Sequence, residues 1–146
     1  MTADADGAMD RLFDLAVVLG ELMNQRLAEH GLTPARAEVI WLLHRDGART
    51  QRELSQELKC TPRNVTGLVD ALEGAGFVAR TPHPTDRRAV LVSLTDRGTT
   101  LVADWRTERD HSAGRLFHDT SATDLTTFVT VLDGVLDSLR NADRTD

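Results

Sequence analysis

Cys60-Thr61-Pro62-Arg63-Asn64-Val65-Thr66-Gly67-Leu68-Val69-Asp70-Ala71-Leu72-Glu73-Gly74-Ala75-Gly76-Phe77-Val78 starts as a helix and ends as a strand. Thr61 can accept an orphan backbone N–H, and proline's missing N–H costs nothing at the first helical position, so Thr61-Pro62 predicts a helix start. Val65, Leu68, Val69 and Leu72 recur at helical spacing and form a buried stripe. Arg63, Asn64, Thr66 and Gly67 fall outside it, and Gly74 and Gly76 predict the stop. The continuation Phe77 to Thr81 reads as a strand, Asp86-Arg87-Arg88 lies in a Pro-containing turn, and Ala89 to Leu94 returns as a second strand with Val90, Val92 and Leu94 on one face. The whole is a helix feeding a basic hairpin.

Such a unit offers two DNA readers side by side. An exposed helical N-terminus carrying Arg, Asn and Thr suits a major groove, where arginine pairs with guanine and asparagine with adenine. A narrow hairpin tipped with arginines can reach the adjacent minor groove or the phosphates. The competing reading is an amphipathic helix and a hairpin whose arginines are merely solvated.

Working outward, 146 residues with 40% hydrophobic content support one domain with a sizeable core, or a small domain with helical extensions. Cys60, the single cysteine, excludes an internal disulfide or a multi-cysteine zinc site and points to a reducing compartment. No charged-then-apolar leader opens the sequence, and stretches such as Leu15 to Leu19 are too short to span a bilayer, so the expectation is a cytoplasmic protein. A net charge of −6 looks unfavourable for nucleic acid. Between Arg49 and Arg88, however, seven basic residues face five acidic ones, a local +2 that leaves −8 for the remainder. Such a distribution permits DNA binding at the centre and discourages it elsewhere.

From Met9 to His30, Leu12, Leu15, Ala16, Leu19, Leu22, Met23 and Leu27 keep helical spacing, with Gly31 as the stop. Thr33-Pro34 opens a second helix carrying Ala37, Val39, Ile40, Trp41 and Leu43, and Thr50-Gln51-Arg52-Glu53 is a capping box for a third through Leu54 and Leu58. Helix, short turn and helix with a polar second N-terminus is a helix-turn-helix, and the hairpin makes it winged. Thr95-Asp96-Arg97-Gly98 then opens a long helix to about Phe117, and Ser121-Ala122-Thr123-Asp124 caps a last one with the stripe Leu125, Phe128, Leu132, Val135, Leu136 and Leu139. The fold expected is mostly α (α+β): a winged helix-turn-helix domain at 32–98, a helical dimerisation region from 9–31 and 99–141, and flexible tails at 1–8 and 142–146. Stripes on the first and last helices (Leu12, Leu15 and Leu19; Leu125, Phe128, Leu132, Leu136 and Leu139) would bury each other best across a two-fold axis, as a homodimer.

These features together resemble the multiple antibiotic resistance regulator (MarR) family. The likeness rests on the helix order, Leu32-Thr33-Pro34, Glu53-Leu54, the run from Val65 to Val78, the wing Asp86-Arg87-Arg88-Ala89-Val90-Leu91-Val92, and Ser93-Leu94-Thr95-Asp96-Arg97-Gly98. It implies a homodimeric transcription factor, acting as a repressor, on a pseudo-palindromic operator of roughly 16–20 bp. Carried over by position, Arg63, Asn64 and Thr66 would enter the major groove from a helix begun by Thr61 and Pro62. Thr61, Gln51 and Arg52 would contact phosphates, Arg87 would enter the minor groove, and Asp86 would orient an arginine; Arg88 is a further DNA-binding candidate at the wing, and the resemblance assigns neither it nor Arg80 a definite contact. Gly67 departs from the basic or polar residue that many relatives carry, so base preference does not transfer.

The resemblance also implies release by a small aromatic or phenolic ligand. Met23, Trp41, His44 and Trp105 are the large groups available to it, with Arg106 or Arg109 for a carboxylate. Two other sensors share the fold. Cys60 precedes a helix N-terminus, where a thiol can be activated, but its position suits a small apolar residue packing the turn. Glu108, Asp110, His111 and His118 could suggest a metal, yet the two histidines stand two turns apart, too far for one ion unaided. No phosphate loop, paired apolar carboxylates or nucleophile elbow is present, so no catalytic residue, cofactor or metal site is assigned. A winged module kept for protein contact is the remaining alternative, and the basic wing argues against it.

Overall fold

The computed structural model describes residues 4–142 and divides into two compact units between Ala103 and Asp104. The first unit begins with α1 (Ala5–Glu29), α2 (Pro34–Asp46), β1 (Arg49–Thr50), α3 (Gln51–Glu57) and α4 (Pro62–Gly74). β2 (Val78–Pro82), β3 (Val90–Leu94) and the start of α5 (Asp96–Leu116) complete it; the second unit holds the rest of α5 and α6 (Ala122–Ala142). Six helices and a three-stranded antiparallel sheet make a winged helix fold.

Local chemistry explains most boundaries. Thr33 and Thr61 each accept the backbone N–H three residues on, from Arg36 and Asn64, and each is followed by proline. Asp4 caps α1 through Gly7, which starts that helix four residues ahead of the expected Met9. The predicted tail 1–8 is therefore helical from Ala5, while residues 1–3 and 143–146 lie outside the described residues. Gly74 closes α4 rather than stopping it; the stop is Gly76 at φ 82°, a left-handed conformation costly for a residue with a Cβ. Its neighbour Phe77 donates its N–H to Leu72 O at 3.0 Å, returning the chain across the helix end.

Expected strands formed, and one more came with them. β3 is central, pairing with β2 through Arg80↔Val92 and with β1 through Arg49↔Val92 and Thr50↔Leu91. Thr50 is at once the last residue of β1 and the N-cap of α3, so the sheet fixes where the third helix begins. Val92 is fully buried, whereas Val90, expected on the same face, is 39% exposed because the hairpin extends beyond the core at that end.

The core of the first unit is built from Val39, Ile40 and Leu43 of α2, Leu54 of α3, Val65, Val69 and Leu72 of α4, Phe77, Val78 and Val92 near and on the sheet, and Leu101 and Val102 of α5. Burying each such side chain is worth about 1.5–3 kcal/mol, more than any single cap, so packing rather than propensity holds α4 in place. α1 and α6 bury no residue fully.

Candidate nucleic-acid interface

The turn between α3 and α4 sets the aim of the second helix. Leu58 caps α3, and Lys59 takes φ 50°, the only positive value at a non-glycine among the described residues. Cys60 donates its N–H to Ser55 O at 3.2 Å, and the Ser55 hydroxyl donates to Cys60 O at 2.6 Å. Cys60 is half-buried within this clasp. With Val65 and Val69 fully buried below, Arg63, Asn64, Thr66 and Gly67 are left exposed on the outer face of the first two turns. Among the described residues the side chains of Arg63 and Asn64 have no protein partner.

Two of the expected contacts are already occupied. Thr66 donates its hydroxyl to Pro62 O at 2.9 Å and accepts from Gln51 Nε2 at 3.3 Å. Gln51 Oε1 in turn accepts from Arg80 Nε at 2.9 Å. The Arg80 guanidinium continues to Asp70 Oδ1 at 2.6 Å and Glu73 Oε1 at 3.0 Å, while its own backbone N–H donates to Glu73 Oε2 at 3.1 Å. Arg80, on β2, thus ties the hairpin to α4 and to the first residue of α3. Its partners come from α3 and α4, which only the fold brings to β2, so the sequence alone assigns Arg80 no definite contact.

The tip of the hairpin is fastened by backbone bonds. His83 Nδ1 accepts the N–H groups of Thr85 and Asp86 at 3.2 and 3.1 Å. Asp86 Oδ1 accepts the Arg88 backbone N–H at 2.9 Å, and Ala89 donates to Asp86 O at 3.1 Å. The resemblance implies that Asp86 orients an arginine; here its carboxylate accepts the Arg88 backbone N–H and, among the described residues, no guanidinium, because a carboxylate one residue before the tip is well placed to close the turn on an amide. Arg87 and Arg88 are exposed, and among the described residues neither guanidinium has a protein partner. His83 carries no signal of its own in the sequence beyond its place between Pro82 and Pro84.

At the start of α3 the capping box is complete: Thr50 donates its N–H to Glu53 Oε2 at 2.7 Å, and Glu53 donates its N–H to Thr50 Oγ1 at 3.1 Å. The Thr50 amide holds the Glu53 carboxyl below the ordinary glutamate range, against a smaller opposing effect of burial. Arg52 beside it is exposed. Elsewhere in the first unit, Trp41 and His44 meet edge to face with ring centroids 5.9 Å apart. Trp41, expected among the apolar positions of its helix, is 41% exposed, and Met23 lies exposed on α1. Trp105 and Arg106 belong to the second unit. There Phe117 and Phe128 pack at 6.0 Å between ring centroids. No metal-holding cluster of His, Cys, Asp or Glu occurs among the described residues, and no described helix is long and apolar enough to cross a membrane.

The sequence profile of the MarR family matches residues 32–90, from the residue before the cap of α2 to the start of β3. The chain is 30% identical over 132 residues to the uncharacterised HTH-type transcriptional regulator Mb0904 of Mycobacterium bovis, covering 84% of this chain and 92% of that one. It is 29% identical over 86 residues to the HTH-type transcriptional regulator MhqR of Bacillus subtilis, and there it spans only 59% of the relative's length. The crystal structure of RV1404 from Mycobacterium tuberculosis superposes with a TM-score of 0.83 over 94% of this chain and 95% of that one, at 24% identity, a likeness of fold. The capped α3–α4 pair, the basic hairpin and these relatives lead to one conclusion: the chain belongs to the MarR family, a family of transcriptional regulators rather than enzymes.

Proposed function

We propose that this protein is a homodimeric repressor that binds a pseudo-palindromic operator through α4 and the wing. The observation that carries the reading is that one unit exposes two arginine-bearing polar sets whose side chains have no protein partner among the described residues. Arg63 and Asn64 lie exposed at the start of α4, and Arg87 and Arg88 lie exposed at the hairpin tip. Arg63 and Asn64 are the base readers, and Arg52 and the Thr61 end of α4 face phosphates. Arg87 and Arg88 enter the minor groove or clamp its phosphates. Gln51 and Thr66 serve as the frame beneath the readers, since their polar atoms are committed to Arg80 and Pro62.

Two or three base contacts, each worth roughly 1–3 kcal/mol, cannot single out one promoter in a genome. Two copies a whole number of DNA turns apart can. The open apolar faces support the pairing: Leu15 and Leu19 of α1 and Phe128, Leu136 and Leu139 of α6 are all more than a third exposed. Release by a small aromatic or phenolic molecule accords with the open Trp41–His44 edge, and a ligand that favours the non-binding arrangement by about 3 kcal/mol would lower affinity on the order of 100-fold.

The test is selection from a random duplex library at physiological salt. Recovery of a palindromic consensus of roughly 16–20 bp is expected. Retention of no specific sequence by a folded dimer would overturn the reading in favour of a protein-contact module.

A further inference from the structure

We propose that Arg80 is a positioning residue that makes the wing and α4 a single rigid reader. The proposal rests on the DNA-binding reading above and concerns how its two contacts are kept in register. Arg80 stands on β2, the strand that leads into the exposed tip, and its side chain is only 21% exposed. Its fork donates to four acceptors at once: Gln51 Oε1 on α3 through Nε, and Asp70, Glu73 and, at 3.4 Å, the Thr66 carbonyl oxygen on α4 through the two terminal nitrogens. Glu73 binds the arginine twice, by side chain and by backbone N–H, so the strand itself is fixed to the helix at that point. Gln51 closes the loop by donating to Thr66, one turn below Arg63 and Asn64 on α4.

Two consequences follow for DNA. Asp70 and Glu73 are the only carboxylates on α4, and their side chains are 62% and 44% exposed; left unpaired, they would repel phosphates beside the readers. The planar fork also fixes a direction, which a point charge on a flexible stem does not. An angle held this way lets Arg87 and Arg88 meet the minor groove at the same time as Arg63 and Asn64 meet the major groove, without an ordering cost at binding.

The experiment measures the join and its use separately. Spin labels at Lys59→Cys and Thr85→Cys, in a Cys60→Ser background and diluted with unlabelled chain, report the distance from the start of α4 to the wing tip. A narrow distribution is expected with Arg80 present and a broadened one for Arg80→Ala. Arg80→Lys, which keeps the charge without the fork, should also broaden it. An unchanged width for Arg80→Ala, or full restoration by lysine, would overturn the proposal.

The second arm is a cycle on the selected duplex. Arg87→Ala should cost about tenfold in affinity when Arg80 is present and less than threefold in the Arg80→Ala background, because a wandering wing gains little from its arginine. A merely stabilising Arg80 would leave the tenfold cost intact in the folded protein, and that result would overturn the proposal. Should the wild-type chain select no duplex, the DNA-binding reading fails, while the label distances still decide whether Arg80 joins wing to helix.

Discussion

Asn64 and Arg87 are both exposed polar groups, and they should fail in different ways when removed. Asn64 stands in the first turn of a helix whose N-cap, Thr61, and buried side chains, Val65 and Val69, fix its direction, so its amide can present a defined donor and acceptor pair to a base edge. Arg87 stands at a turn held by Asp86 and His83 and offers charge. Asn64→Ala is expected to change the selected bases at one position of each half-site. Arg87→Ala should weaken binding to all sequences and reduce the slope of log affinity against log salt by about one per protomer, read by fluorescence anisotropy across a salt series. At the start of α3 the residue scale brings a pH dependence. Glu53 is held ionised by the Thr50 amide, so its folded pKa lies below its unfolded one. The resulting stability is fully present above the unfolded glutamate value of about 4.3 and is lost as pH falls through the lower folded value. Glu53→Gln should therefore flatten urea stability against pH below about 4.5 and leave its shape near neutrality unchanged.

At the scale of elements, the hairpin and α5 approach each other closely. Thr95 donates its N–H to Phe77 O and its hydroxyl to Gly76 O at 2.6 Å, and its oxygen accepts the Gly98 N–H. Arg97 lies over the Phe77 ring, 4.9 Å from its centroid. A Cβ at Gly98 would stand 2.2 Å from the Phe77 carbonyl oxygen, a backbone atom that the bonds from Thr95 keep from moving. Gly98→Ala should thus destabilise by about 1–3 kcal/mol with a matching drop in melting temperature. Gly114, further along α5 with open space around it, should accept alanine without loss. The same scale shows what sequence can carry. Thr33-Pro34, the Thr50–Glu53 box and Thr61-Pro62 are local chemistry, and α2, α3 and α4 begin where those residues place them. β1 is two residues long and exists only because β3 pairs with it, so no periodicity could announce it. The bonds of Arg80 and Asp86 are illegible in sequence for the same reason. One draws its partners from α3 and α4 and the other bonds a backbone amide, and both facts depend on how the hairpin closes.

For the whole molecule, charge and apolar surface lead to one arrangement. The central segment carries a local +2 within a chain of net −6, a distribution that under the proposed function would confine attraction to DNA to the proposed reading surface and suppress non-specific adhesion of the remainder. A single copy of that surface gives too little discrimination. The apolar side chains left open on α1 and α6 supply a reason for a second copy: Phe13, Val17 and Val18 are 60–66% exposed, and Leu139 is 59% exposed. Leu19, at 42%, and Leu136, at 37%, contribute little to the interior of one chain, so a charge at either should leave the winged core folded. If these faces join two protomers, Leu19→Glu and Leu136→Glu place carboxylates in an apolar interface and should convert a dimer to a monomer in sedimentation velocity at micromolar protein. The monomer should then lose more than about 100-fold in affinity for a palindromic duplex while binding a single half-site as weakly as before, because the second contact is no longer intramolecular. Sedimentation of both variants as dimers would remove α1 and α6 from the interface and require another surface to set the spacing of the two readers.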